Sequence, residues 1–420
     1  MNSLLEVAEA IIDQSGVLFV LATVIVFEVP RYLFSTLALA FDALRGRHRA
    51  TTAPPPARVS IVIPVLDDAA HIMDAIRKAR ACDLPSFEII VVDDGSRDGT
   101  PAAIAQARLD GLVDVVITHP ARSGKSAACN HGARFATGEF LLFLDSDTQV
   151  DPAGPRALLS ALSEPAVAAA TGNLSPLNKD ESLTSSVQAI EYLVSITGGR
   201  TFLEAFGANA CCAGAFTMFR ASVFHAIGGF NVGSGEDLEI TLRLRRLGHG
   251  VKFVPSAAAE VEVPVSVSRL LAQRARWDRD SLAVRLSGYR QHRFAHRGES
   301  LSDSLMRLDF LVFEFIPTVL FPGYLVYLIS HFGADAAWIL LALYVYLVSL
   351  SLVNMAITVA LLPNRLNLFA AAAVLVVPVY QGVVLRVARS VNFVSEALFS
   401  TSHHDDFVPA KVRRALYGEA

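Results

Sequence analysis

Apolar positions along this chain fall into two regimes. Between residues 58 and 144 they come as short runs alternating with helical periods. Residues 58–65, 87–92, 113–118 and 140–144 read as buried strands, and 69–81, 101–109 and 125–136 as helices. That alternation predicts a mostly parallel sheet with crossover helices, an α/β arrangement whose ligands sit beyond the strands' carboxyl ends. On either side of it the apolar stretches are longer. Residues 17–41 are interrupted only by Glu28, Pro30 and Arg31. At about 1.5 Å per residue this segment spans a bilayer with some tilt, and Glu28 and Arg31 lie one helical turn apart. A bend at Pro30 along the membrane surface fits the same pattern. Three more candidate spans follow Ser300, at 310–328, 336–361 and 368–385, the first carrying Glu314, Pro317 and Pro322.

Composition sharpens this division. Of the 420 residues 53% are hydrophobic and only 18% charged, on the apolar side for a soluble enzyme, and the mean hydropathy is +0.44. A net charge of -4 excludes the broad basic field expected of a nucleic-acid partner. Arg45, Arg47 and Arg49 follow the first span and hold the next segment in the cytosol. No basic n-region marks an export signal in residues 1–15. Cys82, Cys129, Cys211 and Cys212 match no zinc spacing and fit reduced thiols in a cytosolic domain.

The expected layout is an N-terminal transmembrane segment (1–50), a proline-rich linker (51–57), a cytosolic α/β domain (58–262), amphipathic interfacial helices (263–305), a C-terminal transmembrane region (306–390) and a tail (391–420). The location is then the inner (plasma) membrane, multi-pass. One span before the domain and three after put the C-terminus outside, against Arg386, Arg389, Lys411, Arg413 and Arg414, unless 310–328 is re-entrant.

Carboxylates gather where the strands end. The strand at 87–92 runs into DDGSRD, with Asp93, Asp94 and Asp98, which suits ribose or base hydrogen bonds and equally suits turn chemistry. The strand at 140–144 ends in DSD, where Asp145 and Asp147 share one side of an extended segment. Two such oxygen ligands suit Mg²⁺ or Mn²⁺ on a diphosphate, and a solvated loop looks the same in sequence. Arg122 and Lys125 near a helix start are candidate phosphate partners, or ordinary surface charge. Glu236, Asp237 and Glu239 open a helix, as capping partners or as the site of a general base. Gln273, Arg276 and Trp277 share a side of an amphipathic helix, ready to hold a diphosphate and a sugar ring or to anchor the helix in the interface.

In order and context these motifs resemble family 2 glycosyltransferases with a GT-A fold, over about residues 58–280. Within that family they resemble the processive membrane synthases of cellulose, chitin, hyaluronan and poly-N-acetylglucosamine. The resemblance implies that Asp93 and Asp94 bind the uridine, Asp94 at the base, and that Asp145 and Asp147 hold the metal; Asp145 joins Lys125 and Arg276 in the expected nucleotide-binding set. The resemblance makes Asp237 the base and places Gln273, Trp277 and Glu236 at the acceptor. The segment 209–220 is similar to the acceptor-binding segment of hyaluronan and chitooligosaccharide synthases, which adds Cys212 and Gly214. Family members carry a Tyr soon after the first strand's proline; here Pro64 is followed by Val65, Leu66, Asp67 and Asp68.

The implied activity is a hexosyl transfer, inverting and processive, from UDP-N-acetylglucosamine or UDP-glucose to a β-linked polysaccharide or oligosaccharide acceptor. Translocation through the bilayer and partner subunits for export go with it. A non-processive transferase adding one sugar to a lipid-linked or oligosaccharide acceptor is the first alternative. An inactive membrane scaffold or transport subunit is the second.

Overall fold

In a computed structural model of the chain, the described residues are 56–285 (without 210, 232 and 234), 300–361, 373–405 and 408–417, with 33, 36, 37 and 40. The rest of the expected first span and linker, and 286–299, lie outside them.

Among the described residues eight strands form one sheet. In chain order they are β1 (Arg58–Val65), β2 (Ser86–Asp93), β3 (Val115–Thr118), β4 (Phe140–Leu144), β5 (Gln149–Val150), β6 (Val167–Pro176), β7 (Phe216–Arg220) and β8 (Gly250–Val261). Their spatial order is β3-β2-β1-β4-β7-β6-β8-β5. The first half is parallel as expected, with β1 between β2 and β4. Beyond β4 the sheet is mixed: β7 runs antiparallel to both β4 and β6, while β6 and β8 are parallel. The parallel sheet expected of residues 58–144 thus stands, and β5 to β8 extend it as a mixed one. The antiparallel β7 brings the segment before it, which includes Gly214, back towards the carboxyl end of β4.

Buried strands without polar alternation need cover on both faces, and the sheet has it. Ile61, Ile63, Ile89, Val91, Leu142 and Leu144 pack into one core cluster, and Val62, Ile90, Val92, Leu141 and Phe143 into the other. Successive residues of one strand therefore serve opposite layers. Helix α1 (Ile72–Arg80) covers the first face with Ile72, Ile76 and Ala79, followed by α2 (Thr100–Leu109). Helix α3 (Lys125–Phe135) covers the second with Ala128, Cys129 and Ala133. Gly132 lets α3 approach closely, since a Cβ there would lie 2.5 Å from Cγ1 of Val62.

Helix α4 (Gly154–Ala161) precedes β6, and α5 (Leu183–Glu191) leads through a π-helical turn, Tyr192–Gly198, into α6 (Gly199–Ala205). Helices α7 (Ala221–Ala226) and α8 (Glu236–Arg246) lie between β7 and β8. Helix α9 (Val267–Ala283) starts at Ser266, whose hydroxyl accepts from the Arg269 amide.

The apolar C-terminal part forms α10 (Leu301–Asp309), a π turn at Phe310–Phe315, α11 (Ile316–Phe332), α12 (Ala336–Leu361), short turns from Ala373, and α13 (Arg386–Phe399). Two helical stretches, Leu301–Ile357 and Ala373–Phe399, are long and apolar enough to cross a membrane. The expected boundary at 390 falls inside α13, and Arg386 and Arg389 are helix residues rather than flanks. Arg386 lies over the Phe321 ring, and Arg389 Nε donates to Asp278 Oδ1 at 2.9 Å, tying α13 to α9. A last helix, α14 (Ala410–Tyr417), returns to the α/β domain.

Candidate active site

The carboxyl ends of β1, β2 and β4 open into a cavity of about 700 Å³, walled on the far side by α8 and α9. Pro64 and Leu66 enter from β1, Asp94 from β2, and Asp145 and Asp147 from β4. The loop after β1 is braced against the Asp-Gly-Ser loop. Asp67, at φ +50°, receives the Arg97 amide, and its own amide donates to Ser96 Oγ. Aspartate is among the few non-glycine residues that tolerate this backbone.

Asp94 is the hub of that corner. Its carboxylate accepts the amides of Ser123 (2.8 Å) and Gly124 (2.7 Å) and faces His119 Nδ1 at 2.7 Å. His119 Nε2 in turn meets His131 Nδ1 at 2.8 Å. Asp94 thereby shapes the loop that delivers Lys125 at the start of α3. Asp93 is not among the residues that line the cavity. It ends β2 with its carboxylate buried, accepting the Ser96 amide at 2.9 Å. Asp98 likewise closes a turn, through the amides of Thr100 and Ala69.

Asp145 and Asp147 sit on a turn rather than an extended strand end, with the Thr148 amide donating to the Asp145 carbonyl. Both still face the cavity. Lys125 Nζ lies 2.5 Å from Asp145 Oδ1 and 4.0 Å from Glu236 Oε1. Burial lowers the Lys125 pKa, but the two carboxylates more than offset it and hold the ammonium charged. Burial and then the charge of Asp145 push Asp147 up to about 6. Glu236 is also raised, first by burial and then by Asp237, against the pull of Lys125. Among the described residues nine carboxylates, Asp145, Asp147, Glu236 and Asp237 among them, line the cavity against five cationic side chains including Lys125. A divalent cation suits that excess of negative charge, and Lys125 stands in for part of it. Among the described residues no three His, Cys, Asp or Glu side chains are grouped to hold a metal, so Asp145 and Asp147 would supply only part of a coordination shell.

Asp237 occupies the first turn of α8, its Oδ1 accepting the Leu238 amide at 2.7 Å. The preceding Gly235, at φ +71°, packs against α9, where a Cβ would meet that of Asp280 at 3.1 Å. Gly214 faces Asp237, and even a Cβ there would sit 3.5 Å from Oδ2, so the approach to the carboxylate is open. Gln273, Arg276 and Trp277 of α9 all line the cavity. Cys212 does not: its side chain is in the core, its amide donates to Thr241 Oγ1, and the neighbouring Cys211 lines the cavity instead. All four cysteines are free.

Residues 60–228 match the sequence model of Glycosyl transferase family 2. The match runs from β1 to just beyond α7, most of the α/β domain. Relatives include a poly-beta-1,6-N-acetyl-D-glucosamine synthase of Staphylococcus epidermidis, 27% identical over 224 residues, 52% of this chain and 53% of that one. The synthase of the same name from Staphylococcus aureus (strain COL) is 28% identical over 221 residues, with 52% and 53% covered. The chain spans about half the length of the curated relatives it matches. Among solved structures, the mannosyltransferase PcManGT from Pyrobaculum calidifontis, in complex with GDP-Man and Mn2+, superposes with a TM-score of 0.58. It is 19% identical, covers 90% of this chain and 99% of its own, and shares the GT-A-like fold.

The candidate site has parts that no sequence motif announced. Asp68 accepts the Ser146 hydroxyl at 2.6 Å and so fixes the turn carrying Asp145 and Asp147. The C-terminal segment reaches back to the site: Asp405 pairs with Arg279 of α9 at 3.1 Å, and Pro409 packs on Gly124. A second cavity of about 940 Å³ lies among α9, α11, α12 and α13, and Tyr192, Ser195, Arg200, Trp277, Ser281 and Glu314 border both. Residue spacing signals none of these, because each joins segments far apart in the chain.

Proposed function

We propose that this transferase extends a β-linked polysaccharide at a membrane, taking sugar from UDP-N-acetylglucosamine or UDP-glucose by a single inverting displacement. One observation carries the reading. Asp237, the Asp145–Asp147 pair and Trp277 line the same cavity, so a base, a diphosphate site and a sugar platform meet. Asp237 takes the proton from the acceptor hydroxyl, whose oxygen attacks the anomeric carbon while the bond to the UDP oxygen breaks. Lys125 and Arg276 balance the charge that the departing diphosphate gathers. Asp145 and Asp147 would hold Mg²⁺ or Mn²⁺, which when bound polarises the diphosphate. Trp277 stacks on the acceptor sugar and Gln273 hydrogen-bonds it. The staphylococcal relatives support N-acetylglucosamine as the sugar. The second cavity, adjoining Trp277 among apolar helices, supports a product that leaves along the membrane region.

Leu66 favours a second reading of the donor, because an aliphatic side chain in place of an aromatic one selects less among bases. Competition of UDP and GDP for the site separates the two. The base is tested with Asp237→Asn in purified membranes given labelled UDP-sugars. Transfer should fall by about 10²- to 10⁴-fold with UDP affinity within a few fold. Wild-type turnover would refute the assignment.

A further inference from the structure

A buried imidazole stands behind the Asp94 corner, and the displacement makes no use of it. His119 is 9% exposed and lines neither cavity, so whatever it does at the site it does through Asp94, which lines the catalytic one. Both of its ring nitrogens are engaged, Nδ1 with Asp94 Oδ1 at 2.7 Å and Nε2 with His131 Nδ1 at 2.8 Å.

Three elements fix the ring. The His119 amide donates to the Asp93 carbonyl at 2.8 Å, which carries the pairing of β2 with β3 one residue past the strand end and sets His119 beside Asp94. His131, on α3, stacks on His119 with ring centroids 5.0 Å apart. Phe135, one helical turn further along α3, meets the His131 ring edge-on at 5.4 Å.

The bonds at Asp94 tell what the ring is for. The Ser123 amide donates to Oδ1 and the Gly124 amide to Oδ2. A carboxylate only accepts, so His119 Nδ1 carries the proton that faces it, and His119 Nε2 and His131 Nδ1 share another. Oδ1 thus takes two donors, while among the described residues Oδ2 takes one. Each carboxylate oxygen has about two acceptor directions, which leaves one at Oδ2 for a ligand. Backbone amides come with the loop whatever its sequence. Among the described residues His119 is the side chain that donates to Asp94, and it sets the plane of the carboxylate.

A base with a ring N–H suits the open position. Uracil and guanine carry one, whereas cytosine and adenine present a bare ring nitrogen whose lone pair would oppose the carboxylate and leave it unpaired. Resting on the expected contact of Asp94 with the donor's base, we propose that His119, braced by His131, is a specificity-determining positioning residue that aims Asp94 Oδ2 at that ring N–H.

The test measures, by calorimetry in Mg²⁺, how the full-length enzyme binds UDP, CDP, GDP and ADP. The wild type should prefer UDP to CDP, or GDP to ADP, by about 10²-fold or more. His119→Gln puts its amide at the Nε2 end of the ring and leaves Asp94 without the side-chain donor. It should weaken the preferred nucleotide about 10- to 100-fold and change its counterpart little. His119→Asn puts an amide N–H where Nδ1 stands and should stay within about threefold of the wild type for both. The two variants differ by one methylene, so poor folding would lower the bound fraction in both without changing base preference. Equal weakening of both nucleotides by His119→Gln, or the same base preference in all three proteins, would overturn the role of His119. A wild type without base preference, or Asp94→Ala that keeps it, would overturn the Asp94 contact on which that role rests.

Discussion

Replacing Glu191 with Gln should loosen the helix that carries Trp277. Arg274 of α9 donates to both oxygens of Glu191, at 3.0 and 2.8 Å, and Tyr380 donates to Glu191 Oε2 at 2.8 Å. The Arg274 guanidinium also lies 4.6 Å over the Trp277 ring. Both partners are about nine-tenths buried, at 10% and 11% side-chain exposure, so solvent cannot substitute for the lost carboxylate. Breaking one side of a buried bidentate pair costs about 3–5 kcal/mol. Asp278 offers little relief, since Arg389 (2.9 Å) and Asn392 (3.0 Å) already occupy its oxygens. At ~2–4 °C per kcal/mol for a domain of this size, the unfolding midpoint should drop by roughly 6–20 °C. The readout is thermal unfolding of purified protein in detergent, with product length measured below the transition. Glu191→Gln combined with Arg274→Gln removes both charges and should recover more than half of the loss. A drop below about 2 °C, or single-variant losses that merely add, would refute the clamp.

Other outcomes follow from the same geometry. Transfer should require Mg²⁺ or Mn²⁺, and Asp147→Ala should abolish it; full activity of that variant in chelator would rule out the diphosphate role. Trp277→Ala should remain folded and bind UDP yet make ~10- to 100-fold less long product, since the lost stacking and burial amount to a few kcal/mol. Glu204 receives the Phe253 amide (2.7 Å) and Asn209 Nδ2 (3.3 Å) on one oxygen, and burial raises its carboxyl to about 7. A carboxyl pKa higher in the folded state gives stability that is complete near pH 4 and lost as pH rises towards 7. Glu204→Gln, whose single carbonyl oxygen can accept both bonds, should therefore raise stability at pH 8 by ~1–3 kcal/mol and change little at pH 4.5. Unfolding midpoints at the two pH values decide it.

Local pattern carried far in this chain. The strands and helices between residues 58 and 144 lie within a residue or three of where periodicity puts them, because each is a short apolar run with its own breaks. Asp94, Asp145, Asp147, Asp237, Gln273, Arg276 and Trp277 were all legible as chemistry and all line one cavity. Asp93 and Cys212 were not separable from Asp94 and Cys211 by sequence. A residue pair at a strand end or in an irregular loop contains one member facing in and one facing out, and neighbouring strands select which.

The sequence by itself determined the class of the domain, the order of its acidic motifs and the apolar stretches that follow. Only the tertiary structure decided where the charges act. Lys125 meets Asp145 across 20 positions and Glu236 across 111; the attraction that raises Lys125 against burial, and the burial and repulsion by Asp145 that raise Asp147, exist only once the sheet closes. The same holds for the antiparallel return of β7 and the Arg274–Glu191–Tyr380 clamp. Propensity and periodicity act over a few residues, whereas desolvation and pairing depend on which distant segments exclude water together.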